Sequence, residues 1–166
     1  MDAIFFNLAS RYFWIVCLVV NLINAVIFKV RSQSHIRQDP SLASGYTTLI
    51  QGFLICSSLP WLAMGFGIMV GNVPTIWYFL YPGTGNPYVV AWWVVYWLTI
   101  SFVSQWIVLR GGAEMMVKYP GFLRGNSKNP RTIKLTWLLM LAGTAAFTII
   151  MFNQAPPAEP SYFNPS

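Results

Sequence analysis

The chain has 166 residues, of which 56% are hydrophobic and only 8% charged, and its net charge is +6 at pH 7. About a quarter of a soluble globular domain is charged, so this composition excludes a water-soluble fold. The basic residues flank apolar stretches and do not form a stripe, which favours membrane orientation and anionic lipid headgroups over nucleic acid as their role.

Four apolar stretches are long enough to cross a bilayer, which requires about 20 helical residues. In chain order they cover about 12–28, 46–71, 88–109 and 132–152. They are continuous apolar runs, not short segments of alternating polarity, and this excludes a transmembrane β-barrel. We therefore predict an all-α integral membrane protein, with one four-helix domain over 1–155 and a flexible proline-rich tail over 156–166.

The first stretch lies between Arg11 and Lys29 and is the shortest of the four. It is longer than the apolar region of a typical signal peptide and is followed by no small-residue cleavage site, so we expect a helix of the mature protein. The preceding residues 1–10, with Phe5, Phe6 and Leu8, are expected to form a short amphiphilic stretch at the membrane surface.

Three segments begin with an Asx-Pro pair, in which the side chain caps free backbone N–H groups and proline takes the first helical position. The pairs begin at Asp39, Asn86 and Asn129, and they predict helix starts there. The run of residues 153–157, which ends in two prolines, predicts the stop of the last helix.

Neutral polar residues inside the spans are the candidates for an intramembrane polar face: Asn21, Asn24, Gln51, Ser58, Ser101, Ser104 and Gln105. We expect them to form hydrogen bonds between helices. The alternative is a polar pathway for a small solute or an ion.

Small residues at helical spacing are the candidates for close helix packing, within one chain or between chains: Ala63, Gly67, Gly71, Ala142 and Ala146. Pro60 should kink the second span because it removes a backbone donor. We expect Ser57, Ser58 or a neighbouring chain to satisfy the carbonyl that it frees.

Aromatic residues crowd the start of the third span, at Trp92, Trp93, Tyr96 and Trp97. They predict an interfacial belt, and a pigment or quinone pocket is the alternative. The uncharged connection 72–87 before them fits an aromatic segment lying flat at the headgroups, with a re-entrant pore element as the alternative.

Nine of the ten Lys and Arg residues lie in two loops, those after the first and third spans. The positive-inside rule therefore predicts that these loops face the cytoplasm and that both termini lie outside, in a bacterial-type inner membrane, either cytoplasmic or thylakoid.

Apart from Lys134 at the start of the fourth, the spans contain none of the side chains on which most intramembrane chemistry depends. No Asp, Glu, Lys, Arg or His occurs between Asp39 and Arg110, and His35 is the only histidine. We therefore predict a non-enzymatic protein with no catalytic or metal site and no cofactor, and the sequence assigns no cofactor-binding residues. Its expected partners are the bilayer and other membrane helices, as a homo-oligomer or as an accessory subunit of a larger complex. A homo-oligomeric channel lined by the neutral polar side chains is the alternative function.

Overall fold

The computed structural model describes residues 2–121 and 129–154, with side chains from Phe6 onward. The predicted tail 156–166 and the loop residues Phe122, Arg124 and Lys128 lie outside these ranges. Within these ranges, five α-helices follow one another: α1 (Asp2–Gln38), α2 (Ala43–Met69), α3 (Pro87–Leu109), α4 (Gly112–Lys118) and α5 (Pro130–Asn153). Short 3₁₀ turns cover Pro40–Leu42, Ile76–Leu80 and Pro82–Thr84. Helices α1, α2, α3 and α5 are long and apolar enough to span a membrane, which confirms the predicted all-α fold with four spans.

Helix α1 is much longer than the apolar stretch that predicted it. It has 37 residues, so at a rise of about 1.5 Å per residue it is roughly 55 Å long, against a hydrocarbon core of about 30 Å. Residues 2–10, which were expected to form a separate surface stretch, continue this helix. The reason is that no Gly or Pro interrupts the helix between Asp2 and Gln38.

Two of the three Asx-Pro pairs begin α-helices as predicted, and the third begins a 3₁₀ turn that precedes an α-helix. Asn86 Oδ1 accepts from the Tyr88 backbone N–H at 2.9 Å, and Asn129 Oδ1 accepts from the Arg131 N–H at 2.9 Å. Asp39 instead caps the 3₁₀ turn Pro40–Leu42, and α2 begins directly after that turn. Helix α5 ends at Asn153, where the stop was expected.

The uncharged connection between α2 and α3 folds back onto the helices and closes one end of the bundle, which we call the neutral end. Its 3₁₀ turn places Phe79 in a fully buried position between the two helices, in a core that contains Met64, Ile68, Val73, Val89 and Trp93. Gly67 makes room for the Phe79 ring, since a Cβ at that glycine would lie 2.9 Å from Phe79 Cζ.

The opposite end, which we call the basic end, contains the C-terminus of α1, the N-terminus of α2, and α4. Tyr46 and Tyr119 are buried there with their rings edge to face at a centroid distance of 5.0 Å. The Tyr46 hydroxyl donates to the Pro120 carbonyl at 2.8 Å, and the His35 ring stacks on Tyr46. Gly45 lies directly against the Tyr119 ring, which leaves no room for a Cβ. The α1–α2 hairpin and α4 thus form one packed cap.

Helix α5 is attached to the rest of the bundle mainly at its two ends. At the basic end, Lys134 Nζ pairs with Glu114 Oε1 of α4 at 2.8 Å. At the neutral end, α5 contacts the turn Pro82–Thr84, and the Phe152 ring meets Trp93 at a centroid distance of 5.5 Å. No residue of α5 within Pro130–Asn153 is buried, so the middle of this helix stands apart from α2 and α3.

Candidate functional site

The space between α2, α3 and the separated α5 is a cleft with a volume of about 1150 Å³. Thr48, Met116 and Thr132 line it at the basic end, and Trp77 and Leu80 line it at the neutral end. The cleft therefore runs along most of the depth that the helices would occupy in a bilayer.

Almost all of the cleft wall is apolar, and many of its residues are aromatic. None of the lining residues in the described chain is Asp, Glu, Lys, Arg or His. Gly52 of α2 belongs to the wall, and a Cβ added there would meet nothing within 4 Å. The site can therefore hold an apolar occupant, and it offers no acid, base or charged ligand to one.

Three of the tryptophans that line the cleft use their indole N–H groups inside the protein. Trp92 Nε1 donates to the Pro60 carbonyl and Trp93 Nε1 to the Phe79 carbonyl, both at 2.9 Å. Trp137 Nε1 of α5 donates to Ser104 Oγ of α3 at 2.9 Å. Buried indole N–H groups usually need such a partner, and here the partners connect different elements.

These bonds replace the interfacial belt that we predicted for the aromatic cluster of α3. Trp93 is only 3% exposed and Trp92 is half-buried, so neither ring lies freely at a membrane surface. The belt prediction is wrong for Trp93, because its ring is buried in the core, and the N–H groups of both rings are taken by carbonyls within the chain.

The candidate polar residues are not gathered around one path through the chain. Asn21 Nδ2 donates to the Ser57 carbonyl of α2 at 2.9 Å, and Ser104 accepts the bond from Trp137. This is the interhelical bonding that we expected for the polar residues. The remaining candidates are half-buried at Asn24 and Ser58 and exposed at Gln51, Ser101 and Gln105.

Pro60 is enclosed by two of these contacts. Asn21 of α1 binds the Ser57 carbonyl one turn before the proline, and Trp92 of α3 binds the carbonyl of Pro60 itself. The carbonyl that Pro60 frees is that of Cys56, four residues earlier, so these two bonds do not test the expected role of Ser57, Ser58 or a neighbouring chain. They tie the proline segment to α1 and α3 at the carbonyls beside it.

The candidate small residues separate into an inner and an outer set. Gly67 and Gly71 are covered within the chain by Phe79 and Tyr88. Ala63 is half-buried, whereas Ala142 and Ala146 are exposed on α5.

Gly65 is a packing residue that the sequence analysis missed. A Cβ there would lie 2.6 Å from Trp14 Cδ2, so this glycine lets the indole of α1 rest on α2. The predicted packing residues of α2 are small residues four positions apart, Ala63, Gly67 and Gly71, and Gly65 lies outside that spacing.

The ionisable residues with shifted pKa values outside the spans lie away from the cleft wall. The hydrogen bond from Lys134 lowers the pKa of Glu114, and the hydrogen bonds from the Ser41 hydroxyl and backbone N–H lower the pKa of Asp39. Among the described residues, no group of three His, Cys, Asp or Glu side chains could hold a metal ion.

Comparison with known proteins found no matching family model, no matching curated protein and no matching solved structure.

Proposed function

We propose that this protein is a non-enzymatic, multi-pass membrane protein that works by packing against other membrane helices, as a homo-oligomer or as an accessory subunit of a larger membrane complex. The observation that carries the proposal is the outer face of α5, which is turned away from the cleft. Helical spacing places five exposed residues on that face: Leu135, Leu139, Ala142, Ala146 and Ile149.

The composition of the outer face suits helix association in lipid. Ala142 and Ala146 are one helical turn apart and are both small, so another backbone can approach closely and gain van der Waals contact. At Gly143, next to Ala142, a Cβ would meet nothing within 4 Å, so no described residue of this chain covers that position. The inner glycines Gly67 and Gly71, by contrast, are already covered within the chain.

The test is the size of the purified protein in detergent and in lipid nanodiscs, compared with an Ala146→Leu variant. We expect the native chain to form a defined oligomer or to retain a partner, and Ala146→Leu to weaken that association. Ala91→Leu is the matched control, because Ala91 is an exposed alanine on α3. A monomer at every concentration that retains no partner would contradict the proposal.

The proposed orientation places the basic end in the cytoplasm and both termini outside, in a bacterial-type inner membrane. It rests on the concentration of basic residues at one end of the helices. Single cysteines at the exposed positions Gly83 and Ser34, in a chain whose Cys17 and Cys56 are replaced by serine, should react with an impermeant maleimide from opposite sides. Reaction of both positions from the same side would overturn the four-span topology.

A channel is the second candidate function, and the exposure of three polar side chains favours it. Gln51, Ser101 and Gln105 lie on the outside of the bundle, where they would line a pore formed between several chains. Liposome flux distinguishes the two functions. A conductance that is lost in Gln105→Leu or Asn24→Leu would support the channel over the packing protein.

A further inference from the structure

We propose that the cleft between α2, α3 and α5 is a binding site for one anionic phospholipid, with its acyl chains along the aromatic wall and its phosphate at the basic end. This inference is independent of the proposed oligomer, which uses the opposite face of α5. Four observations support it.

The first observation is how little hydrogen bonding the wall offers in the middle of the cleft. The indole N–H groups of Trp92, Trp93 and Trp137 are already bound within the chain, and the Thr99 hydroxyl donates to its own helix at the Val95 carbonyl. Binding sites for compact ligands orient them by a few well-placed polar groups. Here most of the wall between the remaining polar groups is ring surface, which suits hydrocarbon chains.

The second observation is the size of the cleft. Its volume of about 1150 Å³ exceeds the roughly 300–1,000 Å³ of pockets that hold compact ligands. A long and narrow amphiphile fits this volume better than a compact solute.

The third observation is the character of the wall. Helices that pack in membranes bring small residues to the interface, so that their backbones come close. The cleft wall instead presents bulky rings on all sides, including Trp61, Trp92 and Trp137, with Gly52 as a single open position. The alanines that suit another helix lie on the far side of α5.

The fourth observation is the charge at the basic end. Thr132 lines the cleft there, and the exposed cation Arg131 directly precedes it in the chain. Glu114, the nearby acidic side chain of α4, is paired with Lys134, so it does not cancel the charge of Arg131. An anionic headgroup near a membrane surface gains about 1 kcal/mol per basic residue.

Two native cysteines provide the test. Cys56 belongs to the cleft wall, whereas Cys17 of α1 does not, and both are half-buried. The delipidated protein in detergent is treated with N-ethylmaleimide, with or without phosphatidylglycerol, and labelling of each cysteine is followed by mass spectrometry. We expect phosphatidylglycerol to slow the reaction of Cys56 and to leave Cys17 unchanged, and phosphatidylcholine to protect only at higher concentration.

Two pairs of variants separate the acyl-chain site from the headgroup site. Gly52→Leu should abolish the protection of Cys56 because its side chain occupies part of the cleft, while Gly83→Leu, equally open but in a turn that does not line the cleft, should retain the protection. Arg131→Gln should reduce the preference for phosphatidylglycerol over phosphatidylcholine by about fivefold, which is the loss of about 1 kcal/mol. Arg11→Gln, an exposed arginine outside the basic end, should not reduce it.

Three results would overturn the proposal. The first is equal protection by the two lipids, and the second is protection that persists in Gly52→Leu. The third is oxidative cross-linking of Cys56 between two chains, which would show that a second copy occupies the cleft. Should Gly52→Leu fail to fold, the lipid comparison on the native chain and the pair Arg131→Gln and Arg11→Gln decide the question by themselves.

Discussion

Replacing Gly65 by alanine should destabilise the contact between α1 and α2. The added Cβ would lie 2.6 Å from Trp14 Cδ2 and Cε3 and 2.9 Å from Cε2, so it would meet the body of the indole and not a flexible tip. To reach ordinary contact, the ring must move by about 0.8 Å. Overpacking of this kind costs about 1–3 kcal/mol, more than the helix propensity that alanine gains over glycine, about 1 kcal/mol.

The assay is the free energy of unfolding in mixed micelles, measured by titration with a denaturing detergent. Gly52→Ala on the same helix is the control, because its Cβ would meet nothing within 4 Å and the substitution keeps only the gain in helix propensity. We expect Gly65→Ala to be less stable than the native chain and Gly52→Ala to be equally stable or more so. Equal stabilities of the two variants would refute the packing argument.

Three further predictions use the same unfolding assay. Asn21→Leu should cost about 0.6–2 kcal/mol because it removes the hydrogen bond from α1 to α2, and Asn24→Leu, for which the structure records no such bond, should cost less. Trp137→Phe and Ser104→Ala should destabilise by similar amounts, and the double variant should cost no more than either alone, since both remove one bond. The hydrogen bond from Lys134 lowers the pKa of Glu114 in the folded chain. The ion pair therefore stabilises the fold at pH values above the pKa of Glu114 in the unfolded chain, and this stabilisation is lost as the pH falls through its pKa in the folded chain. The difference in stability between the native chain and Glu114→Gln should accordingly disappear in acid.

The number and order of the spans could be predicted from the sequence because length and hydropathy depend only on the chain and the bilayer. Two α-helix starts could be predicted as well, since an Asx side chain and the following proline act within one turn, as at Asn86 and Asn129. The length of α1 was missed because the prediction followed apolarity, whereas the helix continues through polar residues that have no breaker among them.

The cleft could not be predicted, because it depends on how α5 is placed. A hydropathy pattern does not show that α5 is attached at its two ends and separated in the middle. The burial of Trp93 in the aromatic cluster of α3 could not be predicted for a related reason. An indole N–H is equally satisfied by a headgroup and by a backbone carbonyl, and only the fold brings the carbonyls of Pro60 and Phe79 within reach.

Trp92 and Trp93 also determine how α3 can move. They are neighbours in the chain, so their side chains leave the helix about 100° apart, and their N–H groups bind carbonyls of two different elements, α2 and the Ile76–Leu80 turn. Rotation of α3 about its own axis would pull at least one indole from its acceptor. A smooth apolar helix in lipid turns with little resistance, but this pair of bonds prevents α3 from spinning and leaves tilting and bending as its accessible motions.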